Sequence, residues 1–286
     1  MRLVANLWAL TKPEINLLIA ITVLVSFVVA RHGLSAASIP LAINAVIGTL
    51  FVSSGGGALN QFMERRFDSR MRRTARRPLV MGTVTPRSAV LFGMATSITG
   101  LLYLGLWVNL LSMVIACLAL AIYGAAYTPL KRVTPLCTLV GAISGAAPPL
   151  IGWAGATGTL NCEVWPLYSM VLLWQFPHFM AIAWMYRDDY ARAGYRVLPG
   201  YKSRRRFAAL HAAIPAALLM PVALIPWVEK QAGSLYLIGV TLLGLGFVWR
   251  SLRFSLKMTN QAARQLLIAS VIYLPITFIL LLLDKQ

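Results

Sequence analysis

Charge is what this sequence has least of. Only 12% of its 286 residues are Asp, Glu, Lys or Arg, just eight are acidic, and 59% are hydrophobic. Mean hydropathy is +0.73. No water-soluble domain of this length hides so much apolar side chain, so a soluble globule is excluded and a polytopic membrane protein is indicated. Cysteine is scarce too. Cys117, Cys137 and Cys162 stand alone, without metal-site spacing, and read as small buried apolar residues. A cleavable leader is also missing. The first apolar run lacks a basic start and a small-residue cleavage site, so it reads as a retained helix. The net charge of +18 would suit nucleic acid. The basic residues fall between apolar runs rather than along one soluble face, which argues against that partner.

What is present is a series of nine apolar runs, at about 15–30, 40–60, 88–106, 110–128, 136–155, 165–185, 207–227, 233–250 and 265–283. Most are long enough to cross a bilayer. They predict one all-α intramembrane domain over residues 1–286. Only Trp107 to Asn109 separates the third run from the fourth, which predicts a tight hairpin. The fifth run carries Gly141, Gly145, Pro148, Pro149 and Gly152, which predict close packing and a kink or break. With nine spans, one set of connections holds all but three of the 26 lysines and arginines. The exceptions are Arg31, Lys230 and Lys285. This asymmetry places the N-terminus in the cytoplasm and the C-terminus outside. The long connections after spans two and six both carry acids, then an Arg- and Pro-containing stretch, a weak echo of a repeated four-helix unit.

The richest stretch is NQFMERRFDSRMRRTARRPL, from Asn60 to Leu79. It puts Asn60, Glu64 and Asp68 at i, i+4 and i+8. A continuous helix would stack the three on one face, about 6 Å apart along the axis. Eight basic residues lie between Arg65 and Arg87. A solvated helix end obeying the topology rule explains the arginines. It does not explain two carboxylates and an amide on one face. Oxygen ligands beside guanidinium groups suit magnesium and a polyphosphate.

Asp188 and Asp189 end the sixth span, followed by Arg192, Arg196, Lys202 and Arg204 to Arg206. They form either a surface pair matched by arginines or a second metal or diphosphate contact facing the first cluster. His178 lies about 15 Å deeper along the same helix. An ionisable group at that depth is a functional candidate by default. It could ligate a haem iron, shuttle a proton, cap a buried carbonyl, or be a satisfied structural histidine. His32 falls in a short outer connection, where it is expected to be solvated, and His211 begins the seventh span. Tyr123, Tyr127, Trp174, Phe176, Trp184 and Tyr186 crowd spans four and six. They read either as interfacial anchors or as π faces lining a cavity that shelters a carbocation.

Taken together, these stretches have a counterpart. Asn60-xxx-Glu64-xxx-Asp68, then Met71, Arg73-Thr74 and Arg77-Pro78-Leu79, resembles the first signature of UbiA-type intramembrane prenyltransferases. Three more stretches resemble the protohaem IX farnesyltransferase (haem O synthase) branch. They are Tyr127-Thr128-Pro129-Leu130-Lys131-Arg132, the GAISGAAPPLIGW run from Gly141 to Trp153, and Trp174-Gln175-Phe176-Pro177-His178-Phe179 leading to Asp189-Tyr190 and Ala193-Gly194. The resemblance covers roughly residues 10 to 280.

It implies nine helices around a central cavity. It also implies transfer of the farnesyl group of farnesyl diphosphate to a vinyl group of haem B, giving haem O. Asn60, Glu64 and Asp68 would hold Mg²⁺, with Asp189 as a further metal contact. Arg73, Arg77 and Lys131 would stabilise the diphosphate. Arg132, Tyr127, Trp174, His178, Tyr190 and Lys202 would contact substrates. The bilayer of a bacterial inner membrane is the expected setting, and haem A synthase or a terminal oxidase assembly the expected recipient. Two features depart from the wider pattern. Glu64 stands where Asp is common, and Asp188 and Asp189 are adjacent rather than spaced as DxxxD. The competing readings are an aromatic or quinone-precursor acceptor and a transporter of anionic lipids or metabolites. A transporter would more often place its polar groups near the midplane.

Overall fold

Residues suited to a first turn set many of the helix starts. Thr85, Asn109 and Thr259 accept hydrogen bonds from the backbone N–H groups of Ser88, Ser112 and Ala262. Prolines occupy the opening turns of several other helices, where no N–H is needed. The computed structural model describes residues 2–31 and 33–285, so His32 lies outside the described residues. Its helices are α1 (Arg2–Leu10), α2 (Pro13–Ala30), α3 (Ile39–Asp68), α4 (Pro86–Trp107) and α5 (Leu110–Ala121). A π-helical stretch, Ile122–Tyr127, leads into the single turn α6 (Thr128–Leu130). Then come α7 (Cys137–Gly145), α8 (Ala147–Thr157), α9 (Val164–Met185), α10 (Arg187–Ala193), α11 (Tyr201–Val228), α12 (Ser234–Lys257) and α13 (Asn260–Leu283).

Among the described residues, eight helical stretches are long and apolar enough to cross a membrane. The run expected as the sixth span, α9, has 22 residues but is not one of the eight. Its sequence includes Gln175, Pro177 and His178, and most of its residues are buried against neighbouring helices. A helix enclosed by protein can carry polar groups that a lipid-facing helix cannot. The greasy surface lies elsewhere, with Leu91, Leu106, Leu118, Leu242 and Ile279 all exposed. Cys117 and Cys162 are exposed as well, so the expected burial holds for Cys137 alone. Cys117 lies on α5, where a small apolar side chain can face lipid, and Cys162 in the turn between α8 and α9.

The fifth run breaks at Ala146, between α7 and α8, with Pro148 and Pro149 in the turn that follows. Gly152 lets α8 approach α2 so closely that a Cβ there would collide with the Val23 carbonyl. The helix that matters most is α3. It runs unbroken for 30 residues, about 45 Å, against a hydrocarbon layer of about 30 Å. The helix is longer than that layer, and its last turns carry Asn60, Glu64 and Asp68.

Candidate active site

α3 holds the three residues on its inward face. Asn60, Glu64 and Asp68 are respectively 2%, 4% and 2% exposed. Buried carboxylates need partners, and each rung of this ladder has its own cation. Lys12 Nζ donates to Asn60 Oδ1 at 2.8 Å. Lys131 Nζ donates to Glu64 Oε1 at 2.7 Å. Arg77 Nη1 donates to Asp68 Oδ2 at 2.5 Å. Three segments far apart in sequence thus converge on one helix face. They are the residue before α2, the residue after α6, and the loop between α3 and α4.

Smaller contacts lock the arrangement. Asn60 Nδ2 donates to Thr128 Oγ1 at 3.2 Å. Lys12 Nζ also reaches the Tyr123 hydroxyl at 3.2 Å. Thr74 Oγ1 donates to the Asp68 carbonyl at 2.9 Å, which folds the arginine loop back over the helix end. Lys131 lies over the Tyr127 ring, 4.3 Å from its centroid. Gly141 makes room for that ring, since a Cβ there would stand 2.6 Å from it. Burial alone would depress the Lys131 ammonium. The Tyr127 phenol and Glu64 carboxylate beside it reverse that effect and hold it well above its ordinary value.

The second cluster sits on the short helix α10. Adjacent helical residues point about 100° apart, and the two aspartates separate accordingly: Asp188 is exposed and Asp189 buried. Asp189 pairs with Arg192 and accepts the Arg73 backbone N–H at 3.4 Å. Arg73 Nη2 meets the Tyr190 hydroxyl at 3.4 Å. Asp189 thereby ties the arginine loop to α10. Among the described residues no three of His, Cys, Asp and Glu gather as a metal cage. Asp189 is therefore not brought into one ligand set with Glu64 and Asp68.

The other expected residues divide. Arg132 turns toward α3, over the Phe67 ring and onto the Met63 carbonyl. Trp174 and His178 lie deeper, bonded to α13. Lys202 is exposed in the first turn of α11. It is missing from the lining of a cavity of about 480 Å³ that includes Arg187, Tyr190, Tyr195, Arg196 and Arg204. Residues two apart on a helix face away from each other, so Arg204 reaches the cavity where Lys202 does not. A smaller cavity of about 50 Å³ touches Tyr127, Lys131, Phe179 and Tyr190.

The model of the UbiA prenyltransferase family matches residues 19–276. A relative from Solibacter usitatus, named "Protoheme IX farnesyltransferase", is 48% identical over 85% of this chain and 83% of its own. This chain belongs to the UbiA prenyltransferase family. The fold agrees. A digeranylgeranylglyceryl phosphate synthase structure superposes with a TM-score of 0.79 at 16% identity, covering 99% of both chains. A UbiA homologue from Archaeoglobus fulgidus, solved bound to GPP and Mg²⁺, gives 0.66 at 16% identity, covering 96% of this chain and 99% of that one.

The site of this family member also contains residues that sequence reasoning overlooked. Lys12 is the chief one. It is a lone cation before a proline, easily taken for a topology marker, and its backbone is held at φ 55°, a left-handed conformation uncommon for lysine. Thr128 was hidden within the YTPLKR stretch. Tyr195 is buried between Phe67 and Tyr190, and its hydroxyl has no hydrogen-bond partner among the described residues. Only its place after Gly194, which closes α10 at φ 80°, could have drawn attention to it.

Proposed function

We propose that this chain transfers the farnesyl group of farnesyl diphosphate to a vinyl group of haem B, releasing diphosphate and giving haem O. The single observation that carries this proposal is the buried Asn60–Glu64–Asp68 face with a cation on every rung. The naming of the relatives and the WQFPHF stretch support haem as the acceptor.

The donor set fits magnesium. It offers an amide oxygen and two carboxylates, all hard oxygen ligands on one face. Mg²⁺ held by Asn60, Glu64 and Asp68 would neutralise charge on the leaving diphosphate. The charges balance as well. Lys12, Lys131 and Arg77 set three positive charges against two carboxylates, leaving +1. A prenyl diphosphate trianion with one Mg²⁺ carries −1. Lys131 and Arg77, joined by Arg73 from the exposed loop, bind the diphosphate oxygens as they gain charge. Asp189 keeps Arg73 in place through its backbone. Tyr123 and Tyr127 lie beside the lysines of the site, and aromatic rings there would stabilise positive charge on the allylic carbon. The vinyl group is itself a π nucleophile, so the site needs no strong base to begin attack. Water then completes the hydroxyethylfarnesyl side chain.

This rim faces the cytoplasm, since nearly all the lysines and arginines lie on its side of the membrane. In a bacterium that membrane is the inner one. The product would pass to a terminal oxidase assembly directly, or through haem A synthase. The test is anaerobic incubation of the purified chain with haem B, farnesyl diphosphate and Mg²⁺, followed by mass analysis of the porphyrin. Haem O should appear only with all three present. Prenylated 4-hydroxybenzoate in place of haem O would move the chain to an aromatic acceptor.

A further inference from the structure

The cavity of about 480 Å³ gathers cations and is lined by no Asp or Glu. Arg187 opens α10, Arg196 lies in the loop after it, and Arg204 stands in the first turns of α11. Arg187 Nη1 donates to the Trp184 carbonyl at 2.8 Å and to Asn260 Oδ1 at 2.6 Å. Those bonds fix the guanidinium and leave its Nε and Nη2 without a partner among the described residues. Arg196 is exposed and belongs to none of the three ion pairs among the described residues. Gly200, the N-cap of α11, also lines the cavity, so the positive end of a 28-residue helix adds to the field. Like charges gathered without a carboxylate call for an anion. The mouth is not wholly polar. Val133 and Pro135 form one wall. From there Leu136, Leu139 and Ile143 are exposed at i, i+3 and i+7, an apolar stripe running along one face of α7. A soluble anion has no use for that stripe, whereas an anion with hydrocarbon tails does.

We propose that this cavity seats the headgroup of an anionic glycerophospholipid. The phosphate lies among Arg187, Arg196 and Arg204, and the acyl chains run along Val133, Leu136, Leu139 and Ile143. Guanidinium groups pair with phosphate oxygens through two parallel bonds. Basic pockets between membrane helices on the cytoplasmic side suit such headgroups. The lipid is positioned to act on the neighbouring site. The Arg196 backbone N–H donates to the Lys131 carbonyl at 2.6 Å. Tyr190 lines this cavity and the smaller one at Lys131, and its hydroxyl meets Arg73. A bound headgroup therefore clamps the segment that carries Lys131 to the segment that carries Asp189. The site is the same whichever acceptor the enzyme uses.

The experiment titrates the purified full-length chain with dioleoyl phosphatidylglycerol and, separately, dioleoyl phosphatidylcholine, which share tails and differ in net charge. Binding is read by native mass spectrometry. The wild type should retain phosphatidylglycerol well ahead of phosphatidylcholine. The double variant Arg196→Gln/Arg204→Gln should weaken phosphatidylglycerol by about 30-fold, the effect of two basic residues near a headgroup, and leave phosphatidylcholine within about twofold. Arg205→Gln/Arg206→Gln removes the same charge from exposed positions outside the cavity. It should change neither lipid by more than about twofold. Phosphatidylglycerol should also slow amide exchange over residues 195–199 of the wild type. Equal losses in the two double variants would reduce the effect to diffuse rim charge and overturn the site. Glycerol 3-phosphate binding as tightly as the lipid would make it a soluble-anion site. Displacement of phosphatidylglycerol by haem B, with haem B also weakened by Arg196→Gln/Arg204→Gln, would assign the cavity to the acceptor instead. Amide exchange unchanged by saturating phosphatidylglycerol would overturn the clamp.

Discussion

Asp68→Asn isolates one charge at the centre of the site. Asparagine matches aspartate in size and keeps an oxygen for Arg77 Nη1, now 2.5 Å from the carboxylate. It also leaves the Thr74 bond intact, because that bond goes to the Asp68 main-chain carbonyl. The fold should therefore lose only the difference between a charge-assisted and a neutral hydrogen bond, about 1 kcal/mol. Turnover should suffer more. The variant leaves three cations facing a single carboxylate, so the site repels a divalent ion that it once attracted. Removing one group that stabilises transition-state charge costs about 2.7–4 kcal/mol, or about 10²–10³-fold in turnover.

The gap between those two losses makes the prediction testable. Haem O yield is measured by mass analysis in membranes whose content of the chain is matched by immunoblot. Thermal stability in detergent is measured alongside. The expected result is near-normal abundance, a small drop in melting temperature, and haem O reduced by at least about a hundredfold. The magnesium needed for half-maximal activity should also rise. A haem O yield close to wild type at normal abundance would refute the metal role of this face.

Other perturbations separate binding from scaffolding. Lys131→Met strips Glu64 of its partner and should cost about 3–5 kcal/mol of stability. Adding Glu64→Gln should restore much of that while activity stays lost, as thermal unfolding and turnover would show. Because the folded-state pKa of Lys131 is raised, the lysine's side of the ion pair should stay charged up to its ordinary value of 10.5 and be lost as pH climbs through the still higher folded value; at the acid end the pair fails only as Glu64 takes up a proton. A titration from about pH 6 to 9 should therefore show no loss of stability attributable to this lysine. Asp189→Asn should loosen the arginine loop and speed limited proteolysis between residues 70 and 77, whereas Asp188→Ala should not. Lys202→Ala, at an exposed position, should leave turnover within about twofold.

The helices were legible because the bilayer enforces a simple rule: long apolar runs separated by charge. The ladder on α3 was legible because i, i+4, i+8 spacing has one geometric meaning on a continuous helix. Less local features escaped. Lys12 is 48 residues from its Asn60 partner, and nothing in its own neighbourhood marks it. Lys131 stood in a recognisable stretch, yet its pairing with Glu64 crosses 67 positions. Arg132 beside it looked equivalent and is not, since it turns to stack on Phe67. α9 forms where the sixth span was expected, as a 22-residue helix. Its polar residues lower its hydropathy, and they do so because the helix is buried in the bundle.

The pairing pattern also bears on how such a site survives before substrate arrives. Two carboxylates and an amide packed on one buried face would repel one another and seek protons. Two cations reach the face from loops and a third from the residue before α2, and each forms one short bond to it. A diphosphate offers those cations a denser negative charge, and a divalent ion gives the released oxygens a new partner. Substrate binding is then an exchange of partners, with no ion left buried and bare at any stage. The exchange couples the two ligands, because freeing Glu64 and Asp68 from Lys131 and Arg77 requires both to be present. Diphosphate alone or Mg²⁺ alone should therefore bind weakly, and each should tighten the other by the same factor. Isothermal titration of the purified chain with inorganic diphosphate, with and without Mg²⁺, measures that factor directly. Independent binding of the two, with a factor near one, would show that the cations and the carboxylates do not exchange.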